Sequence, residues 1–183
     1  MLTPETRLLI EHWPAVEEIV QSEANLRTQL SELLLSLKDD LNKTDWWSED
    51  WSFVRQSDDQ VYIAHNNWRY NNSNFAVWIG IERFVPSVLF GKEACAQLYV
   101  WTTISDKQFI AKLRQLFRSK KILGSVEEKN SSYIIEHFLP KTLPSQSGEC
   151  EKFIRERIIE FLSYYANEEK AISEIVTRQI KAT

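Results

Sequence analysis

The sequence predicts an α+β fold: a central antiparallel sheet, built as a meander plus a final hairpin, with one inserted amphipathic helix and long helices at both ends. Three observations carry this. Apolar residues recur at helical spacing over residues 4–43 and again over 149–180. Between them, residues 46–104 alternate with period 2. The connections between these alternating runs are short, which suits antiparallel neighbours and leaves no room for parallel crossovers. One domain of 183 residues follows, with a helical N-terminal arm over 1–45, a sheet over 46–145 that contains a helix at 105–119, and a C-terminal helix at 149–181.

The first element opens with Thr3 as a cap and Pro4 in the first turn, where its missing N–H costs nothing. Leu9, Trp13, Val16 and Val20 fall at alternating steps of four and three. Leu30, Leu34, Leu37 and Leu41 continue that register, with Glu23 and Arg27 interrupting it. The interruption predicts either a bend near 21–25 or two helices, and Pro14 removes one donor where a kink can form. Leu26 and Leu33 widen the stripe.

At Asp45–Trp51 three tryptophans fall among acids and mark the passage from helix to sheet. Strands are predicted at 52–57 and 60–69 around Asp58-Asp59. Five asparagines between Asn66 and Asn74 signal a turn, because Asn tolerates the left-handed region. The strand 75–84 sets Phe75, Val77, Ile79 and Ile81 on one face and Trp78, Gly80 and Glu82 on the other. The strand 95–104 sets Leu98, Val100 and Thr102 against Tyr99 and Trp101.

Ser105 to Gln108 reads as a capping box that starts the inserted helix. Phe109, Ile110, Leu113, Leu116 and Phe117 form its apolar stripe. A hairpin at 122–128 and 132–139 follows, then a loop with Pro140, Pro144 and Gly148. The final helix carries two apolar stripes, one ending at Tyr165 and one starting at Ile172, separated by the polar run 167–170. The two terminal helices are expected to pack on each other, since each stripe is too long to leave wet.

Composition excludes several classes of function. Only 4 glycines and 5 prolines are present, and no two glycines are close enough for a glycine-lined phosphate loop. No apolar run reaches the length of a membrane span, and the first residues carry no secretory signal pattern. Cys95 and Cys150 do not read as a disulfide scaffold, so a reducing, cytoplasmic setting is expected. No cofactor is implied.

The chemistry-bearing residues are sparse. His12, His65 and His137 are isolated and match no metal-ligand spacing, so no metal site is expected. Cys150, at a helix start, is a better thiol nucleophile than Cys95. Asp106, Glu127 and Lys129 are weak candidates for a metal-dependent nuclease site, in which carboxylates hold a metal and Lys steadies the phosphate. A solvated turn is the plainer reading of Glu127-Glu128-Lys129.

Charge gives a second lead. Residues 1–45 carry nine acidic and four basic groups, whereas 105–145 carry eight basic and four acidic. Over 105–121, Lys107, Lys112, Arg114, Arg118, Lys120 and Lys121 form a basic helix that could bind phosphates or an acidic partner. Six of the seven tryptophans lie between 46 and 101. Trp78, Tyr99 and Trp101, opposite the aliphatic rows, become core if both sheet faces are covered and a partner-binding surface if one is open.

Trp68-Arg69-Tyr70, then Phe75–Glu82, then Leu98-Tyr99-Val100 and a helix resemble the α+β portion that follows the nuclease region in one branch of the PD-(D/E)XK superfamily. The likeness covers about residues 46–165 and rests on aromatic strand texture. It implies a detached accessory or recognition module, linked to phage defence or mobile DNA, and carries over no catalytic residue. Taken together, the sequence predicts a non-enzymatic interaction module that binds a protein partner or itself. A nucleic-acid-associated accessory factor and a nuclease remnant are the alternatives.

Overall fold

The structure is a computed structural model and describes residues 3–70, 74–90, 96–119, 125–126, 132–140, 143–144 and 146–181. Its helices are α1 (Pro4–Glu11), α2 (Trp13–Leu41), α3 (Pro86–Leu89), α4 (Lys107–Arg118), α5 (Ser147–Ala166) and α6 (Glu169–Ile180). Its strands are β1 (Trp51–Ser57), β2 (Gln60–His65), β3 (Val77–Glu82), β4 (Gln97–Thr102), β5 (Ser125–Val126) and β6 (Tyr133–Phe138). The strands form one antiparallel sheet in the order β1-β2-β3-β4-β6-β5. The meander therefore runs straight through β4, and the final hairpin joins it by its second strand.

Register follows the alternation in the sequence. Ile63 pairs with Ile79, Ile79 with Val100, and Val100 with Ile135, so one apolar row crosses four strands. These residues are fully buried together with Leu37, Leu113, Phe117, Ile158 and Val176 from the helices. Tyr62, Trp78, Tyr99, Trp101 and Tyr133 occupy the opposite face by the same pairings. Tyr62, Tyr99 and Trp101 stand outside the helix-packed core.

Several element ends differ from the sequence expectation. The second strand stops at His65, because Asn66–Trp68 turns into a short 3-10 helix once the His65 imidazole accepts the Asn67 N–H at 3.2 Å. The cap of α4 is Asp106, whose carboxylate accepts the Phe109 N–H at 2.8 Å, not Ser105. Both residue types cap well, and the carboxylate one position later holds the orphan donor. The last helix is two helices, α5 and α6, broken in the polar run at Asn167 and Glu168. The N-terminal break falls at His12, beside Pro14, rather than at 21–25.

The Asp45–Trp51 run sits where α2, β1 and α5 meet. Trp46 and Trp51 meet edge to face with centroids 5.2 Å apart, and Trp51 meets Trp68 likewise at 5.3 Å. The Trp46 indole N–H donates to Ser163 Oγ at 2.9 Å, tying this corner to α5. α2 also packs on α5, as expected of the terminal helices, and its buried side chains run from Leu30 to Leu41.

Candidate interaction surface

The N-terminal arm is the most exposed apolar element among the described residues. The Thr3 hydroxyl accepts the Thr6 N–H at 3.3 Å and starts α1, none of whose residues is buried. Across the His12 break, α2 runs on with its first buried side chain only at Leu30. Trp13 is 57% exposed and Ile19 68%, and Leu8, Leu9, Ile10 and Val20 are exposed to a similar degree. At about 1.5 Å per residue, α1 extends roughly 12 Å and residues 13–25 of α2 roughly 20 Å. A helix of this kind draws its stability from packing an apolar face.

The arm continues features of the packed half of α2. Ile19, Leu26 and Leu33 are spaced by seven and change from exposed to half-buried to buried. A groove of about 640 Å³ opens beside the base of the arm, between α2 and the start of α5. Leu26, Leu30, Leu33, Phe90 and Ile154 supply its apolar lining. Glu32 and Arg155 stand on its rim, and Arg27 follows Leu26 on the helix, bonded to Glu23 at 2.5 Å.

The basic helix is split in character. Lys107, Lys112 and Arg118 are exposed along α4. Arg114 is half-buried and donates to the Tyr133 carbonyl at 3.4 Å, so it is held against β6. Lys120 and Lys121 lie outside the described residues.

On the second sheet face, Tyr62 stacks on Trp78 with centroids 4.4 Å apart, and Trp78 leans on Trp101 at 4.7 Å. Trp78 and Trp101 are half-buried, whereas Tyr99 is only 1% exposed. Gly80 is the reason Tyr99 fits. A Cβ on Gly80 would stand 2.9 Å from the Tyr99 hydroxyl and 2.6 Å from the Val61 carbonyl. Gln60 donates to the Tyr99 hydroxyl at 2.9 Å, and Tyr133 donates to Glu82 at 2.8 Å. Burial raises the pKa of both tyrosines, and for Tyr133 the Glu82 carboxylate adds to the rise. Rings so engaged with one another leave little open π surface for a stacked ligand.

The other chemistry-bearing residues are placed as follows. Asp106 is occupied as a helix cap, and Glu127 and Lys129 lie outside the described residues. His12 is at the arm break, His65 is buried 3.4 Å from Glu169, and His137 stacks on Phe161 at 6.0 Å. Burial, with Arg157 nearby, lowers the His137 value. Among the described residues no group of three His, Cys, Asp or Glu side chains could hold a metal ion. Burial pushes the Cys150 thiol up, away from the thiolate a nucleophile needs, and Cys95 lies outside the described residues. Among the described residues no helix is long and apolar enough to cross a membrane.

The arm's exposure was not legible in the sequence, since Leu9–Val20 and Leu30–Leu41 share one register and only the second is covered. Comparison with known proteins adds no assignment: no family model, no curated protein and no solved structure matches the chain.

Proposed function

We propose that the chain is a non-enzymatic, cytoplasmic protein-interaction module that docks through its N-terminal helical arm. The exposed apolar stripe from Leu8 to Val20 carries this reading. Scattered exposed apolar residues are ordinary, but a dense set along two successive exposed helical segments, the end of α1 and the start of α2, is a usual mark of a docking surface. The test is recovery of bound proteins from native extract by the wild type and by a Leu9→Asp, Trp13→Asp variant. The variant is expected to keep the wild-type melting temperature and lose the bound proteins. Equal recovery by both would refute the reading.

A second reading rests on Lys107, Lys112 and Arg118, each exposed on α4. It makes the chain an accessory factor that holds nucleic-acid phosphates, in keeping with the mobile-DNA resemblance. Its affinity would fall steeply with salt and would drop on charge reversal at Lys112 and Arg118. The net charge of −4 favours the first reading.

A further inference from the structure

We infer that the partner of the arm is a protein with an apolar cleft rimmed by arginine or lysine, and that Trp13, Val16 and Val20 enter the cleft while Glu17 meets the rim. This rests on the docking reading above and names the chemistry of its occupant.

The shape comes from the start of α2 alone, which opens at Trp13 with Pro14 in its first turn. Proline fixes its own backbone angle there, so Trp13 is presented on a helix that is already set. At roughly 100° per residue, Ile19, Val16, Val20 and Trp13 follow one another around α2 over an arc of about 120°. An arc that wide is what a helix normally turns toward a core. Ile19 and Val16 stand about five turns before the buried Leu37 and Leu34, on the same side of the helix. Val20 and Trp13 extend that side outward, and both are exposed. Tryptophan is enriched among the residues that dominate binding energy.

Charge states what the cleft must carry. Residues 4–25 hold five glutamates and one arginine. Glu23 is bonded to Arg27, whereas Glu11, Glu17 and Glu18 are exposed with no ion-pair partner among the described residues. Glu17 lies about 40° beyond Trp13, at the edge of the apolar arc, and leans back one turn toward it. Glu18 lies on the far side of the helix. A guanidinium bonded to Glu17 would also lie against the Trp13 indole, so one arginine answers both. The same charges disfavour other occupants. Helices that lie on membranes carry Lys and Arg on the polar face, not glutamates. A second copy would set another acidic arm against the first.

The experiment uses the full chain with the photo-reactive residue benzoylphenylalanine in place of Val20, irradiated in native extract. The crosslinked protein is identified by peptide mass, purified and titrated against the wild type and three variants of exposed residues that should keep its melting temperature. Glu17→Lys should weaken binding on the order of tenfold, since a rim attraction becomes a repulsion. Glu18→Lys makes the same change of charge on the far side and should weaken it less than about twofold. Trp13→Ala should weaken it by roughly 30-fold, as an anchor does. Equal effects of Glu17→Lys and Glu18→Lys, or none from either, would overturn the basic rim. A crosslink to this chain's own arm, or binding to phosphatidylcholine vesicles with no crosslinked protein, would overturn it in favour of a second copy or a membrane surface. In all of these the docking reading stands so long as Leu9→Asp, Trp13→Asp abolishes the binding seen. Neither crosslink nor vesicle binding, or binding indifferent to that variant, overturns the docking reading as well.

Discussion

The Trp68 indole N–H donates to Ser173 Oγ at 3.0 Å, across 105 residues of sequence, and Ser173 in turn donates to Glu169 at 2.6 Å. Trp68 is completely buried, so its donor has no water to fall back on. This one bond fixes α6 to the turn that leaves β2. Ser173→Ala is expected to cost about 1–3 kcal/mol, the penalty of an unsatisfied buried donor. Chemical denaturation measures it, and a loss well below that would mean that α6 is held by apolar packing alone.

Gly80 is a packing requirement rather than a turn. A Cβ there would meet the Val61 carbonyl at 2.6 Å and Tyr62 Cβ at 2.8 Å, both on the neighbouring strand. Backbone in a central strand yields little, so Gly80→Ala is expected to destabilise the chain by about 1–3 kcal/mol. The near-ultraviolet signal of the Tyr62–Trp78 stack should change with it.

Arg83 closes β3 with φ at 59°, in the left-handed region. A side chain there costs about 1–2 kcal/mol, which glycine escapes apart from its greater unfolded-state entropy. Arg83→Gly is therefore expected to raise the melting temperature slightly. An unchanged or lower value would mean that the Arg83 side chain contributes more than its backbone costs.

Alkaline stability follows from the tyrosines. Tyr62, Tyr99 and Tyr133 are all raised by burial, so above about pH 10 the unfolded chain releases protons that the folded chain retains. Stability is full below that pH and falls as pH rises. Tyr99→Phe should lower stability at neutral pH, through the lost Gln60 bond, yet make the alkaline decline shallower. On the acid side His137 works in the opposite sense. Its lowered value gives stability above about pH 6.5 that is lost as pH falls. Denaturation midpoints across pH test both limbs.

The sheet was largely legible because alternation reports a strand face directly. Val77, Ile79 and Ile81 were separable from Trp78 and Gly80 by position alone, and their pairing with β4 keeps that division. The exchange of Ser105 for Asp106 as cap turns on one hydrogen bond, which residue preference cannot rank. The short 3-10 helix at Asn66 depends on His65 as an acceptor, a tertiary detail hidden in a run that still reads as strand. The largest gap concerned the arm. Periodicity defines an apolar stripe but not what covers it, so Leu9 and Leu37 look alike in sequence and differ wholly in burial.

The most direct test of the arm as an interface is hydrogen exchange over residues 4–25, measured on the full chain alone and bound to the proteins it recovers from native extract. Exchange that is fast in the free chain and slow in the bound one, with no such slowing in the Leu9→Asp, Trp13→Asp variant, is the predicted result. Exchange over 4–25 that is unchanged by the bound proteins would contradict it.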